Sequence, residues 1–159
     1  MKSAIVYYSL DGHTRLIADM IASETGADVF ELVPAKDNKK TGFQKYFWGG
    51  KSVMFNEKPG LKNPSPDLSA YDLIYIGTPI WASSFTPPVN TFISNAHLQG
   101  KKLAFFACHS GGGAVKCFDK MEKLLKNNAV TGKIDFKDPS ADKAAEIAAA
   151  IKEWLASFA

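Results

Sequence analysis

The sequence predicts a three-layer α/β domain built on a parallel sheet, and three observations carry that prediction. Five short apolar runs alternate with amphipathic segments of helical period along the whole chain. The run Asp72–Gly77 is apolar nearly throughout, as a central strand covered on both faces requires. Loops of unusual composition follow the first, third and fourth runs. In a parallel sheet all of them open on the carboxyl edge, where ligands sit at the switch point of the strand order.

The first run, about Lys2 to Tyr8, reads as strand one. The turn Ser9-Leu10-Asp11-Gly12-His13-Thr14 follows and leads into helix one, about Thr14 to Thr25. Leu16, Ile17, Met20 and Ile21 lie on one face of that helix, and Gly26 is placed to end it. A strand, a tight turn and a helix N-terminus make a pocket for an anion. The first helical N–H groups have no intrahelical partner, and the helix dipole adds about half a positive charge there. Ser9 and Thr14 can each donate a hydroxyl, and Gly12 lets the backbone come close. The spacing matches neither a Walker loop nor the G-x-G-x-x-G dinucleotide turn. A plain helix start beside a strand is the simpler alternative.

Asp28–Val33 alternates and reads as strand two, stopped by Pro34. From Ala35 to Asp67 lysines 36, 39, 40, 45, 51, 58 and 62 outnumber the acids, and Phe43, Tyr46, Phe47 and Trp48 cluster. We expect a helix from about Gly42, then a Pro/Gly/Asn loop. Its aromatics either pack on the sheet or form a partner or dimer surface rimmed by lysines. Strand three is followed by Thr78-Pro79-Ile80-Trp81-Ala82, and Pro87-Pro88 suit the first turn of the next helix. Val89, Phe92, Ile93 and Ala96 form its buried stripe. Strand four, Leu103–Cys108, ends in His109-Ser110-Gly111-Gly112-Gly113. The helix after it turns Val115, Phe118, Met121, Leu124 and Leu125 inward. Ile134-Asp135-Phe136 reads as a short edge strand. Ser140 caps the last helix, whose inner face is Ala144, Ile147, Ala148, Ile151 and Leu155.

A chain of 159 residues suits a single domain spanning 1–159. No apolar run approaches spanning length, so no transmembrane helix is expected. The opening apolar stretch is too short for a signal peptide's core, which points to the cytoplasm. Cys108 and Cys117 form neither a disulfide framework nor a zinc spacing and read as buried thiols. No metal site is expected. A net charge of +3 without a helix-turn-helix or aromatic–basic ladder gives no sign of nucleic acid binding.

The three loops together resemble those of short-chain members of the flavodoxin family. Ser9–Thr14 is similar to the family's phosphate turn, Ser/Thr-x-x-Gly-x-Thr. Thr78–Ala82 followed by Pro87-Pro88-Val89-Asn90-Thr91-Phe92 is similar to its second cofactor loop, and Ser110–Gly113 to its third. The resemblance runs over nearly the whole chain. It implies strand order 2-1-3-4-5 and FMN bound without a covalent bond, with the first loop on the phosphate. Trp81 offers an indole face for stacking on the flavin, worth ~0.5–1.5 kcal/mol beyond area burial. Backbone groups of Ile80, Trp81 and Ala82 reach the ring's polar edge, and N–H groups of Gly111 to Gly113 its pyrimidine carbonyls.

Several residues depart from the family pattern. Asp11 replaces a common threonine, and its carboxylate is expected to point away from a phosphate. His13 either lends partial positive charge or is an ordinary exposed histidine. Ala82 replaces a common glycine, where φ > 0 is costlier; two-electron chemistry is expected to gain over one-electron chemistry. No tyrosine is present to sandwich the ring, so His109, Phe85 or nothing covers that face. The family is strongly acidic and this chain is not, which implies a less reducing flavin. Of the functions this leaves, the first is an electron carrier between redox partner proteins, monomeric or a weak homodimer. The second is an NAD(P)H-dependent FMN reductase acting on quinones or similar acceptors, and the third a non-redox domain of the same fold. No catalytic acid, base or nucleophile stands out, as expected when the isoalloxazine carries the chemistry.

Overall fold

The structure, a computed structural model, describes residues 1–35, 58–63 and 65–158. The helix expected from Gly42 and most of the lysine- and aromatic-rich stretch lie outside the described residues. Strands β1 (Ser3–Tyr7), β2 (Asp28–Glu31), β3 (Leu73–Pro79), β4 (Lys102–His109) and β5 (Ala129–Lys137) form one sheet. Its order is β2-β1-β3-β4-β5, and every pairing is parallel. This is the doubly wound arrangement, with its switch point between β1 and β3. Helices α1 (His13–Thr25), α2 (Pro87–Ala96), α3 (Ala114–Leu124) and α4 (Ala144–Ala156) connect the strands, α4 being preceded by a 3₁₀ turn at Ala141–Lys143.

Alternation along the strands divides the core. Ile5, Tyr7, Leu73, Tyr75, Ala104, Phe106 and Cys108 face α1 and α4, meeting Ile17, Ile21, Ile147, Ile151 and Trp154. Ala4, Val6, Ile74, Ile76, Leu103 and Phe105 face α2 and α3, meeting Val89, Phe92, Cys117, Phe118 and Met121. Side chains on both faces make the central strands nearly continuous in apolar character. Gly77 has a packing reason: a Cβ there would lie 2.1 Å from Cζ of Phe106, whose ring covers it.

The element order agrees with the sequence expectation, and the differences lie in faces and ends. Val115 and Leu124 are exposed, at 74% and 56%, rather than inward. Cys117 takes the central place in α3's stripe, so those two residues fall on its flanks. In α4, Ala144 is exposed, Ala148 and Leu155 are half-buried, and Trp154 is buried instead. Ser140 begins the final helical segment through its carbonyl, which accepts from Lys143 N–H at 3.0 Å; its side chain makes no cap. β5 is an edge strand as expected, but it runs nine residues. It carries an extra residue, Thr131, where Leu103 pairs with Val130 and Ala104 with Gly132.

Candidate functional site

The loops after β1, β3 and β4 meet around one cleft of about 400 Å³ at the carboxyl edge of the sheet. The first loop contributes Leu10, Asp11, His13 and Thr14. The second contributes Pro79, Ile80, Trp81, Ala82 and Ser83, and the third Cys108, His109, Ser110, Gly111 and Gly112. The volume falls at the lower end of the range for small-molecule sites, about 300–1,000 Å³.

The first turn is built around Gly12, which is the N-cap of α1 at φ 97°. A side chain there would be strained, although nothing lies within 4 Å of a built Cβ. Gly12 N–H donates to Ser9 Oγ at 3.1 Å, and Leu16 N–H donates to the Gly12 carbonyl at 3.0 Å. No side chain caps the helix, so its first-turn donors are open to a ligand. Thr14 is 1% exposed, and its Oγ1 has no hydrogen-bond partner within the described residues. A buried hydroxyl left this way costs about 1–3 kcal/mol. The Cys108 thiol is pushed up to about 12 by burial, with the Thr14 hydroxyl opposing the rise through a weak interaction and the carboxylates of Asp11 and Asp135 adding to it. Asp11 is half exposed, with Oδ1 3.8 Å from His13 Nδ1. Its carboxylate therefore lies beside an imidazole.

The second loop is a tight hairpin. Trp81 N–H donates to the Ser84 carbonyl and Ser84 N–H to the Trp81 carbonyl, both at 3.0 Å. The two residues between them, Ala82 and Ser83, stand at φ 49° and 58°. A two-residue turn with both φ positive matches the twist of a hairpin but strains any residue with a Cβ. Alanine therefore already occupies the left-handed region in which glycine was expected to be favoured. Tyr8 meets Trp81 edge to face, with ring centroids 6.1 Å apart. Ile80 N–H donates to the Cys108 carbonyl at 2.8 Å and ties this loop to β4.

The third loop is braced from β5. Gly112 N–H donates to His109 Nδ1 at 2.9 Å, and His109 Nε2 lies 2.7 Å from Asp135 Oδ2. Ser110 Oγ donates to Asp138 Oδ1 at 2.6 Å, and Asp138 N–H donates to the His109 carbonyl at 2.8 Å. Gly113, at φ 93°, is the N-cap of α3; a Cβ there would lie 3.0 Å from Ser83 Cα. Loops two and three thus pack directly against each other.

The family model for flavodoxin matches residues 2–157. The chain belongs to the flavodoxin family. Among curated proteins, none matches it. Several solved structures share its fold. A Bacteroides eggerthii protein provisionally called a flavoprotein is 24% identical, with a TM-score of 0.79 over 99% of this chain and 97% of that one. A Lactobacillus acidophilus flavoprotein in complex with FMN is 21% identical, with a TM-score of 0.73 over 97% and 98%. Flavodoxin 1 of Bacillus cereus, in its oxidised form, is 21% identical, with a TM-score of 0.59 over 98% of each chain.

Within this flavodoxin-family cleft, four of the expected residues do not form the wall. Ser9 and Gly12 line a neighbouring cavity of about 370 Å³ together with Arg15 and Glu31. Thr78 is fully buried; its Oγ1 accepts from Thr86 N–H at 3.1 Å and donates to the Pro79 carbonyl at 2.8 Å. It shapes the second loop from behind. Gly113 also stands behind the wall, against Ser83. Phe85 belongs to the core, so it covers no face of the cleft. His109 has both ring nitrogens engaged, and the Gly112 N–H expected at a ligand carbonyl is turned onto it. Asp135 and Asp138 escaped the sequence analysis, because only the pairing of β5 with β4 brings them beside the loop.

Proposed function

We propose that this chain is a flavoprotein that holds FMN non-covalently in the cleft and passes electrons between protein partners. The observation that carries the proposal is Thr14 Oγ1, a buried hydroxyl with no hydrogen-bond partner among the described residues beyond a weak interaction with the Cys108 thiol, at an uncapped helix N-terminus that forms part of the cleft. A phosphate is the ligand such a place suits. It would accept from the hydroxyl and from the first N–H groups of α1, aligned with the dipole. The FMN-bound fold relative from Lactobacillus acidophilus supports the same cofactor.

The residues present fit the rest of that group. Trp81, held edge-on by Tyr8, would give a flat wall for the isoalloxazine, and the Ala82–Ser83 turn would fix the height of that wall. Gly111 lets the third loop approach closely, with open space around its Cα. The flavin itself would supply the redox chemistry; the protein binds it, orients it and excludes water from one side. Asp11 keeps its carboxylate beside His13, with Oδ1 3.8 Å from Nδ1.

A second function, NAD(P)H-dependent reduction of quinones or similar acceptors, is favoured by the cleft's lack of a second aromatic wall opposite Trp81 among the described residues. A nicotinamide or quinone could stack there. Reconstitution with FMN followed by its visible spectrum tests the binding proposal; a protein that takes up no FMN refutes it. Turnover of NADPH with a quinone, in the absence of any added reductase, would move the chain from carrier to enzyme.

A further inference from the structure

His109 lines the cleft wall, its side chain 9% exposed, with both ring nitrogens in hydrogen bonds. A backbone N–H can only donate, so the Gly112 N–H at 2.9 Å requires a lone pair on Nδ1. The ring proton therefore sits on Nε2 and donates to Asp135 Oδ2 at 2.7 Å. The geometry fixes one tautomer. A second proton can enter only at Nδ1, where it would face the Gly112 N–H donor to donor. The bond that holds Gly112 at φ 93° over its own strand is then lost.

We propose that His109 is a positioning residue which makes the closure of the third loop, and with it retention of FMN, dependent on pH. Neutral His109 pins Gly112; acid releases it. The FMN part rests on the binding proposed above. The other charged groups around the ring do not reproduce this effect. Asp135 accepts from Nε2 in either charge state and, at 2.7 Å, balances the charge gained by the imidazolium. The cleft therefore gains little net positive field to offset the loosened loop. Asp138 is engaged by Ser110 and by Lys143, whose Nζ donates to the Asp138 carbonyl at 3.3 Å. Lys137, the register partner of His109, is exposed on β5. Asp11 and His13 line the same cleft from the first loop, and Cys108 is a neutral buried thiol. None of these holds the Gly112 amide.

Two substitutions separate the roles of the nitrogens. His109→Asn places a non-titrating oxygen near the Nδ1 position, while His109→Gln can reach toward Asp135 but not back to Gly112. FMN dissociation constants are measured for the wild type and both variants from about pH 8 to about pH 5. Titration of the FMN phosphate and of other groups common to the three proteins affects all of them alike, so the ratio to His109→Asn is the quantity read. The ratio of the wild-type to the His109→Asn dissociation constant should hold steady in the alkaline range and rise about 3- to 10-fold in acid. His109→Gln should be weaker by a similar factor throughout. Parallel curves for the wild type and His109→Asn overturn the proposal. NMR of the cofactor-free protein gives an independent measure: the His109 ring nitrogens should report the Nε2–H tautomer, and the Gly112 amide should shift as the ring gains its proton. If FMN binds at no pH, the binding proposal falls and this amide alone decides; a Gly112 amide indifferent to the ring's charge overturns the pinning.

Discussion

The turns that lead into α1 and α3 look alike and are held in opposite ways. Each has a glycine N-cap in the left-handed region, Gly12 at φ 97° and Gly113 at φ 93°, and neither helix has a side-chain cap. The first turn keeps one buried donor in reserve: Thr14 Oγ1 meets the hydrogen-bond criteria with no partner among the described residues. The third is tied down by its own chain, through His109 to Gly112 and Asp135 and through Ser110 to Asp138. An anion site must leave donors unsatisfied until the ligand arrives. A wall for a flat ring instead needs a fixed position, which internal bonds supply. Under the proposed function, the same backbone device would serve capture in one place and alignment in the other.

The largest expected effect separates the two glycines. Gly113→Ala combines left-handed strain with a Cβ 3.0 Å from Ser83 Cα, whereas Gly12→Ala meets open space. Gly113→Ala should lose about 2–4 kcal/mol, a fall in Tm of roughly 4–16 °C, and Gly12→Ala about 1–2 kcal/mol. Thermal unfolding of the cofactor-free proteins checks this, and equal losses would remove the contrast.

Thr14→Val comes next and should move two quantities in opposite directions. Removing an unpartnered hydroxyl should leave the cofactor-free protein unchanged or up to about 1 kcal/mol more stable. FMN affinity should fall by about 10- to 100-fold, because a hydrogen bond to a charged phosphate is worth about 1.5–3 kcal/mol. Calorimetric titration and urea unfolding together measure both. Ser110→Ala should show the reverse pattern at smaller scale. It loses the 2.6 Å bond to Asp138 and about 0.5–1.5 kcal/mol of stability, with affinity changed less than threefold, or about 0.7 kcal/mol.

The smallest effect near neutrality concerns the thiols behind the two turns. Burial pushes Cys108 and Cys117 up to about 12 from an ordinary 9.0. Between those values the unfolded chain has released protons that the folded chain retains, so the unfolded state gains as pH rises. The thiols' contribution to stability should be complete below pH 9.0 and decline through that window. Replacing both with alanine should flatten the alkaline slope of urea unfolding, whatever it does to stability at neutral pH.

Much of the architecture was legible in the sequence because the five strands and their breaks depend on local pattern. The convergence of Thr14, Trp81 and the glycine loop followed from parallel topology alone, which sends those loops to one edge. What was hidden depends on rotation and pairing. Val115 and Leu124 are apolar, yet a narrow helix stripe centred on Cys117, Phe118 and Met121 leaves them outside. Thr78 carries a polar group that hydrogen-bonds its own loop, and composition cannot tell that from a ligand contact. Asp135 and Asp138 become neighbours of His109 only once β5 takes its register, and that register includes a bulge.

The contact between Ser83 and Gly113 has a mechanical consequence. The backbone that carries Trp81 comes so close to Gly113, the N-cap of α3, that a Cβ there would lie 3.0 Å from Ser83 Cα, so the aromatic wall cannot shift toward α3 without displacing that helix start. Only a residue without a side chain permits so close an approach. The spacing between them is set by Ser83, whose Cα, Cβ and Oγ all crowd the place a Gly113 Cβ would take. A chain of this design can retune its ligand by exchanging the residues that coat the cleft, while the spacing itself stays fixed.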